Sequence, residues 1–329
     1  MSVATEGSVM TPPQETGPQE LAPQEMVTVV IPTRNRPDMV ARAVESALGQ
    51  TYAPLEVVVV IDGPDPATEE RLRAFGDPRL TVIALEQNRG AAGARNLGVE
   101  RAKGAWIAFL DDDDEWMPGK IALQMAARPP GVRYPIMSCR CKVVTARGDF
   151  EWPRRLCTPR DRIGDYLFVR HGLFKGETFA PTTTLLAPKA LLQRQPIPKS
   201  AFDDWEWLIA CGQIESCALV TVPEVLAIHY TESDRITLST CHNIDMALNW
   251  AESVRPRLSP RAYASLLLQA TGGEQAARTP AVRKRILKSA LRDGAPTPMA
   301  LTTFLMHSLM PVGLRRRLRQ AIFSAPGAA

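Results

Sequence analysis

The chain has 329 residues, 45% of them hydrophobic, with 39 Lys and Arg against 35 Asp and Glu, for a formal net charge of +4. That length buries a large core and fits one big domain with an appendage, while the near-balanced charge excludes a broad nucleic-acid footprint. No apolar run reaches the roughly 20 residues of a membrane-spanning helix, and the N-terminus lacks the basic and apolar regions of a secretory signal. The six cysteines (Cys139, Cys141, Cys157, Cys211, Cys217, Cys241) show no zinc spacing, which points to reduced thiols in a cytoplasmic compartment.

Residues 1–25, rich in Pro, Gln, Glu, Gly and Thr, read as a disordered leader. The β-branched run 27–31 is the first strand. A helix follows, with Pro37 suited to its first turn and Met39, Val40, Ala43, Val44, Ala47 and Leu48 at helical spacing. Residues 55–61 form a second strand closed by Asp62-Gly63-Pro64, 68–75 a helix, 80–85 a third strand, 93–101 a helix and 105–110 a fourth strand. The strands are almost continuously apolar, and their alternation with helices predicts an α/β, doubly wound, mainly parallel sheet of Rossmann-like layout. Further on, 136–145 and 182–186 read as strands, 203–211 as a helix and 257–323 as mostly helical. The expected division is 26–128, 129–256 and a helical C-terminal extension, 257–329.

The fourth strand runs into Asp111-Asp112-Asp113-Asp114. Four adjacent acids repel one another unless a cation sits among them. A divalent metal bridging carboxylates to a diphosphate answers that need. The other strand ends carry Pro32-Thr33-Arg34-Asn35-Arg36, Asp62-Gly63 and the stretch Asn88 to Asn96. All four clusters therefore fall on the carboxyl edge of one parallel sheet, where open α/β folds bind ligands.

Five segments in this order carry a resemblance: Val30 to Arg36, Ala47 to Tyr52, Val59 to Gly63, Asn88 to Asn96 and Ala108 to Lys120. Together they resemble the nucleotide-binding half of an inverting family 2 glycosyltransferase of GT-A fold. The resemblance implies that Pro32, Thr33 and Arg36 line a nucleoside pocket and that Asp62 accepts from the base imide. That favours a uridine donor. Arg95 would lie near the base or phosphates, Asp111 by the ribose, and Asp113 on a Mg²⁺ or Mn²⁺ ion. Asp112 falls where the family motif is variable and is grouped with the nucleotide-binding residues without a role of its own. Glu115, Trp116, Pro118 and Lys120 complete the motif, mainly as loop packing and a helix start.

Inversion requires a base to deprotonate the acceptor hydroxyl. The segment Phe202-Asp203-Asp204-Trp205-Glu206-Trp207 resembles the family's acidic pair, which assigns the base to Asp204 and leaves Asp203 as a helix cap. His229, through the same resemblance, is a candidate metal or diphosphate contact. The hydroxyls of 178–184 are a polar turn into a strand. The apolar stretch 298–310, followed by Arg315-Arg316-Arg317 and Arg319, is either a peripheral membrane contact or a helix packed on the domain.

The implied function is transfer of a sugar from a UDP-sugar to a hydroxyl of a glycan or lipid-linked acceptor, in polysaccharide or cell-envelope glycan synthesis. The protein would be cytoplasmic, or peripheral at the inner membrane face. The rivals are a sugar-nucleotide pyrophosphorylase, opposed by the missing Gly-rich loop after the first strand, and a non-catalytic nucleotide-sugar-binding protein of the same fold.

Overall fold

A computed structural model describes residues 25–146, 148–172, 176–231, 244–270 and 279–309. Residues 1–24 of the expected leader 1–25, Cys241 and the Arg315–Arg319 cluster lie outside these residues. In chain order the elements are β1 (Val27–Thr33), α1 (Pro37–Leu48), β2 (Leu55–Ile61), α2 (Pro66–Arg73), β3 (Leu80–Ala84), α3 (Gly90–Arg101), β4 (Trp106–Phe109), β5 (Glu115–Trp116), α4 (Lys120–Ala126), β6 (Tyr134–Thr145) and β7 (Gly148–Trp152). Then come α5 (Ile163–Phe168), β8 (Leu186–Pro188), α6 (Lys189–Arg194), α7 (Asp203–Cys211), β9 (Cys217–Thr231), α8 (Ile244–Val254), α9 (Pro260–Ala270), α10 (Pro280–Asp293) and α11 (Pro298–Leu309).

These strands form one sheet, ordered β3-β2-β1-β4-β8-β6-β9-β5, with β7 paired to β6. β1, β2, β3 and β4 are mutually parallel, as is the long β6–β9 ladder. The pairings β4–β8, β6–β8, β5–β9 and β6–β7 are antiparallel. The sheet is therefore parallel where the four polar clusters fall and mixed beyond β4.

Side chains alternate across the parallel half, as the two-residue strand period requires. Val27, Val29 and Ile31 of β1 and Val57, Val59 and Ile61 of β2 pack with Val40, Ala43, Val44 and Ala47 of α1. On the opposite face Val30 packs with Ala92 and Val99 of α3, and Val58 and Val60 with Ala94. Gly98 lets α3 lie this close to β1: a Cβ there would fall 2.3 Å from Val30 Cγ1. Both faces of the sheet are thus covered, which accounts for the apolar strands.

Three of the boundaries that differ from expectation do so through a polar side chain. α2 begins at Pro66 because Asp65 Oδ1 accepts from Thr68 N at 3.2 Å. α3 begins at Gly90, whose φ of +79° suits glycine, because the Asp62 carboxylate takes the Arg89 and Gly90 amides. The expected strand 182–186 is instead a 3₁₀ turn, Thr182–Thr184, followed by β8. Its threonines bond locally: Thr184 N and Oγ1 both donate to Pro181 O.

The extension is helical in its described part. α11 buries Ala300, Thr303 and Phe304 and packs on α9, with Leu301 partly buried against the same core. Leu305 remains exposed. No helix among the described residues is long and apolar enough to cross a membrane.

Candidate active site

The carboxyl ends of β1, β2, β3 and β4 share one edge, so the four polar clusters do converge. The acid run after β4 divides by alternate residues. Asp112 and Asp114 point inward, their side chains 8% and 0% exposed, whereas Asp111 and Asp113 are 25% and 19% exposed.

The inward pair fastens the loop. Thr33 Oγ1 donates to Asp112 Oδ2 at 2.8 Å, and Arg36 Nη1 donates to Asp112 Oδ1 at 2.8 Å. Arg36 also reaches Asp113 Oδ2 at 3.4 Å. Thr33 and Arg36, expected in a nucleoside pocket, therefore hold the acid loop, and Asp112 has a structural task that the motif did not indicate. Pro32, in β1, is fully inside the sheet. Asp114 accepts from Tyr230 N at 3.0 Å and lies 2.8 Å from His229 Nδ1. Burial works to lower the His229 pKa, but the Asp114 hydrogen bond and charge outweigh it, so the imidazole titrates above its ordinary value. His229 thus commits Nδ1 to the loop, leaving Nε2 as the nitrogen for any ligand.

Asp62 is buried, and its two oxygens accept from Arg89 N at 2.6 Å and Gly90 N at 2.9 Å. It clasps β2 to the start of α3. Base recognition would use the remaining lone pairs of that carboxylate.

Arg95 joins the two halves of the chain. Its Nη2 donates to Asp111 Oδ1 at 2.7 Å and its Nη1 to Asp203 Oδ2 at 3.0 Å. The residue is 7% exposed, and its Nε has no hydrogen-bond partner. Two carboxylates about one cation is the arrangement that keeps a buried guanidinium charged.

Asp203 and Asp204 open the first turn of α7, where carboxylates suit the helix dipole. The expected cap at Asp203 is not made: the N-cap is Phe202, without a side-chain bond. Asp204 Oδ1 accepts from Trp205 N at 2.7 Å. Burial, and then the Asp203 charge, push the Asp204 carboxyl up to about 6. A cleft lined by Arg95, Phe109, Thr182, Leu185, Asp203, Asp204 and Trp207 lies between α3, β4 and α7. Trp207 is buried and anchored through Nε1 to Gln195 O, whereas Trp205 is 38% exposed.

Motif positions beyond the acids are indeed packing. Trp116 Nε1 donates to Thr183 O at 2.8 Å. Lys120 is fully buried, donates to Gln124 Oε1 and lies 4.0 Å over the Trp116 ring. Desolvation lowers it to about 8. Arg42 was not anticipated: it donates to Asp113 O and Glu115, and it stacks on Tyr230. On an amphipathic helix it reads as one more solvated charge, and nothing in its spacing marks it.

A divalent ion fits this donor set. Hard cations take carboxylate oxygens and often complete their shell with substrate phosphates, and Asp111 and Asp113 offer such oxygens on the open side of the loop. Among the described residues no group of three or more His, Cys, Asp or Glu forms a cage by itself. A metal held here would complete its shell with substrate phosphates or water.

Residues 28–130 match the family model described as glycosyl transferase family 2. That segment is a family 2 glycosyltransferase domain. Across it the chain is 47% identical over 95 residues to the succinoglycan biosynthesis protein ExoO of Rhizobium meliloti, covering 29% of this chain and 27% of that protein. It is 36% identical over 101 residues to the Escherichia coli UDP-Glc:alpha-D-GlcNAc-diphosphoundecaprenol beta-1,3-glucosyltransferase WfgD, covering 31% and 40%. The matched stretch thus spans less than half of either relative. The fold extends further: S. aureus TarS 1–349, crystallised with UDP-GlcNAc, superposes with a TM-score of 0.51 at 18% identity, over 81% of this chain and 71% of that one. The fold of the chain is GT-A, as the resemblance implied.

Proposed function

We propose that the protein is a metal-dependent inverting glycosyltransferase of cell-envelope polysaccharide synthesis. It takes a sugar from a nucleoside diphosphate donor, most simply UDP, and passes it to a hydroxyl of a glycan or lipid-linked acceptor. The observation that carries this reading is the Arg95 bridge, which sets the outward carboxylate Asp111 of the family 2 domain beside the Asp203–Asp204 pair of α7.

Asp113, with Asp111 beside it, would hold a Mg²⁺ or Mn²⁺ ion that neutralises the leaving diphosphate. Asp204 takes the proton of the acceptor hydroxyl. The acceptor oxygen bonds to the anomeric carbon on the face opposite the donor phosphate, and the carbon–oxygen bond to phosphate breaks with its electron pair leaving on the nucleoside diphosphate. Desolvation that raises Asp204 to about 6 also makes it a stronger base than an exposed aspartate. The relatives' names support a UDP-sugar donor and a diphospholipid acceptor.

The test is calorimetric titration of UDP, GDP and their sugars with and without Mn²⁺. UDP binding should require the ion, and Asp113→Ala should abolish it. Metal-independent binding that survives this substitution would remove the metal assignment.

A further inference from the structure

α10 buries Ile286 and Ala290 against the core and turns its other side to solvent. On that side Lys284, Lys288, Leu291 and Arg292 recur at helical spacing, and all four are exposed. Leu291, 56% exposed, is the most exposed large hydrophobic side chain among the described residues. The helix carries five cations (Arg283, Lys284, Arg285, Lys288, Arg292) against one anion, Asp293. Arg285 pairs with Asp245 at 3.2 Å and Arg292 with Asp293 at 2.7 Å. Lys284 and Lys288 enter no ion pair with a described residue.

We propose that this face of α10 docks on an anionic lipid bilayer. Exposed basic side chains on one helix face attract an anionic surface, each lysine near it strengthening binding about fivefold, and a leucine among them can enter the acyl boundary. The charge complementarity is local, since the whole chain carries only +4. Leu291 distinguishes the occupant: it has an acyl boundary to enter in a bilayer, and no counterpart on a nucleic-acid backbone. The sequence left 298–310 open between a membrane contact and a packed helix, and α11 there turns Phe304 and Leu301 to the core while Leu305 stays exposed. The docking face also belongs to the acid-pair half of the fold. α10 packs on α9, α9 on α5, and α5 on α7, which carries Asp203 and Asp204. The inference stands apart from the transferase reading, although a lipid-linked acceptor would give it a use.

The experiment is flotation of the full chain, without donor, on vesicles of phosphatidylcholine alone and of phosphatidylcholine with phosphatidylglycerol. Binding should need the anionic lipid and weaken with added salt. The Lys284→Glu/Lys288→Glu variant should bind about thirtyfold more weakly or worse, with an unchanged melting curve. Lys284→Gln/Lys288→Gln, falling about thirtyfold, serves if the reversal does not fold. Equal binding to both vesicle types would overturn the proposal. So would unchanged binding of the lysine variants alongside loss in Arg315→Glu/Arg316→Glu/Arg317→Glu, or binding to poly(U) RNA without binding to vesicles. Vesicle binding without any sugar transfer would count against the transferase reading alone.

Discussion

Asp204 combines two opposed effects at one carboxylate. Because its pKa rises from the ordinary aspartate value to about 6 in the folded state, the native protein holds this proton more tightly than the unfolded chain. Its ionisation therefore costs stability: the loss sets in as pH climbs past about 4 and is complete above about 6. Asp204→Asn should raise stability at neutral pH by about 1–2 kcal/mol, read by chemical denaturation, because the residue is partly solvated and the full shift overstates the gain. The same substitution should lower transfer by about 10²–10⁴, and wild-type activity should fall away as pH drops through 6. Wild-type turnover by the asparagine variant would exclude Asp204 as the base. Arg95→Met, in contrast, leaves Asp111 and Asp203 without their shared cation. It should cost about 3–5 kcal/mol in denaturant unfolding, the usual result of removing one partner from a buried ionic group. The two effects at Asp204 were half visible beforehand: the acid pair was legible by resemblance, whereas its bridge through Arg95 joins positions 108 residues apart and leaves no trace in spacing.

Among elements, the β1–α3 contact is the most sensitive to shape. Gly98 leaves room for Val30, and a β-branched valine has little rotamer freedom with which to retreat. Gly98→Ala should destabilise by about 1–3 kcal/mol. Val30→Ala in the same chain should recover part of that loss, giving a favourable coupling in a double-mutant cycle. Additive effects would show that α3 shifts bodily instead. Element order through β4 was legible because hydrophobic period and strand length agree there. The misplaced ends, at Pro66, Gly90 and Thr182, all trace to side chains that bond backbone groups, from Asp62 and Asp65 to Thr184. Periodicity carries no information about such bonds. The mixed pairing beyond β4 was likewise unreadable, since β8 is three residues long and β6 meets it at one register position.

At the scale of the molecule, the family 2 domain is not self-contained. β4 uses its second edge on β8, β5 exists only through β9, and the Trp116 indole is satisfied by Thr183 O. A fragment of residues 25–130 would expose a sheet edge and strand buried polar groups. It should aggregate or remain unfolded, whereas the full chain should give a single cooperative transition monitored by circular dichroism. A soluble fragment with a sharp melt would show that the second half is an accessory. The pattern that makes 28–130 recognisable records the half proposed to meet the nucleotide, while the fold it needs is distributed over the described chain. Charge followed the same logic: the overall +4 gave no hint that α10 gathers five cations, because balance over the whole conceals imbalance on one surface.

The acid loop after β4 works as a two-stroke register: even-numbered aspartates anchor, odd-numbered ones present. Its length is therefore locked in a way its composition is not. Adding or removing one residue between Phe109 and Glu115 would swing the anchors into the cleft and bury the presenting pair, so that a change of one position would dismantle both the latch on β9 and the open donor set at a stroke.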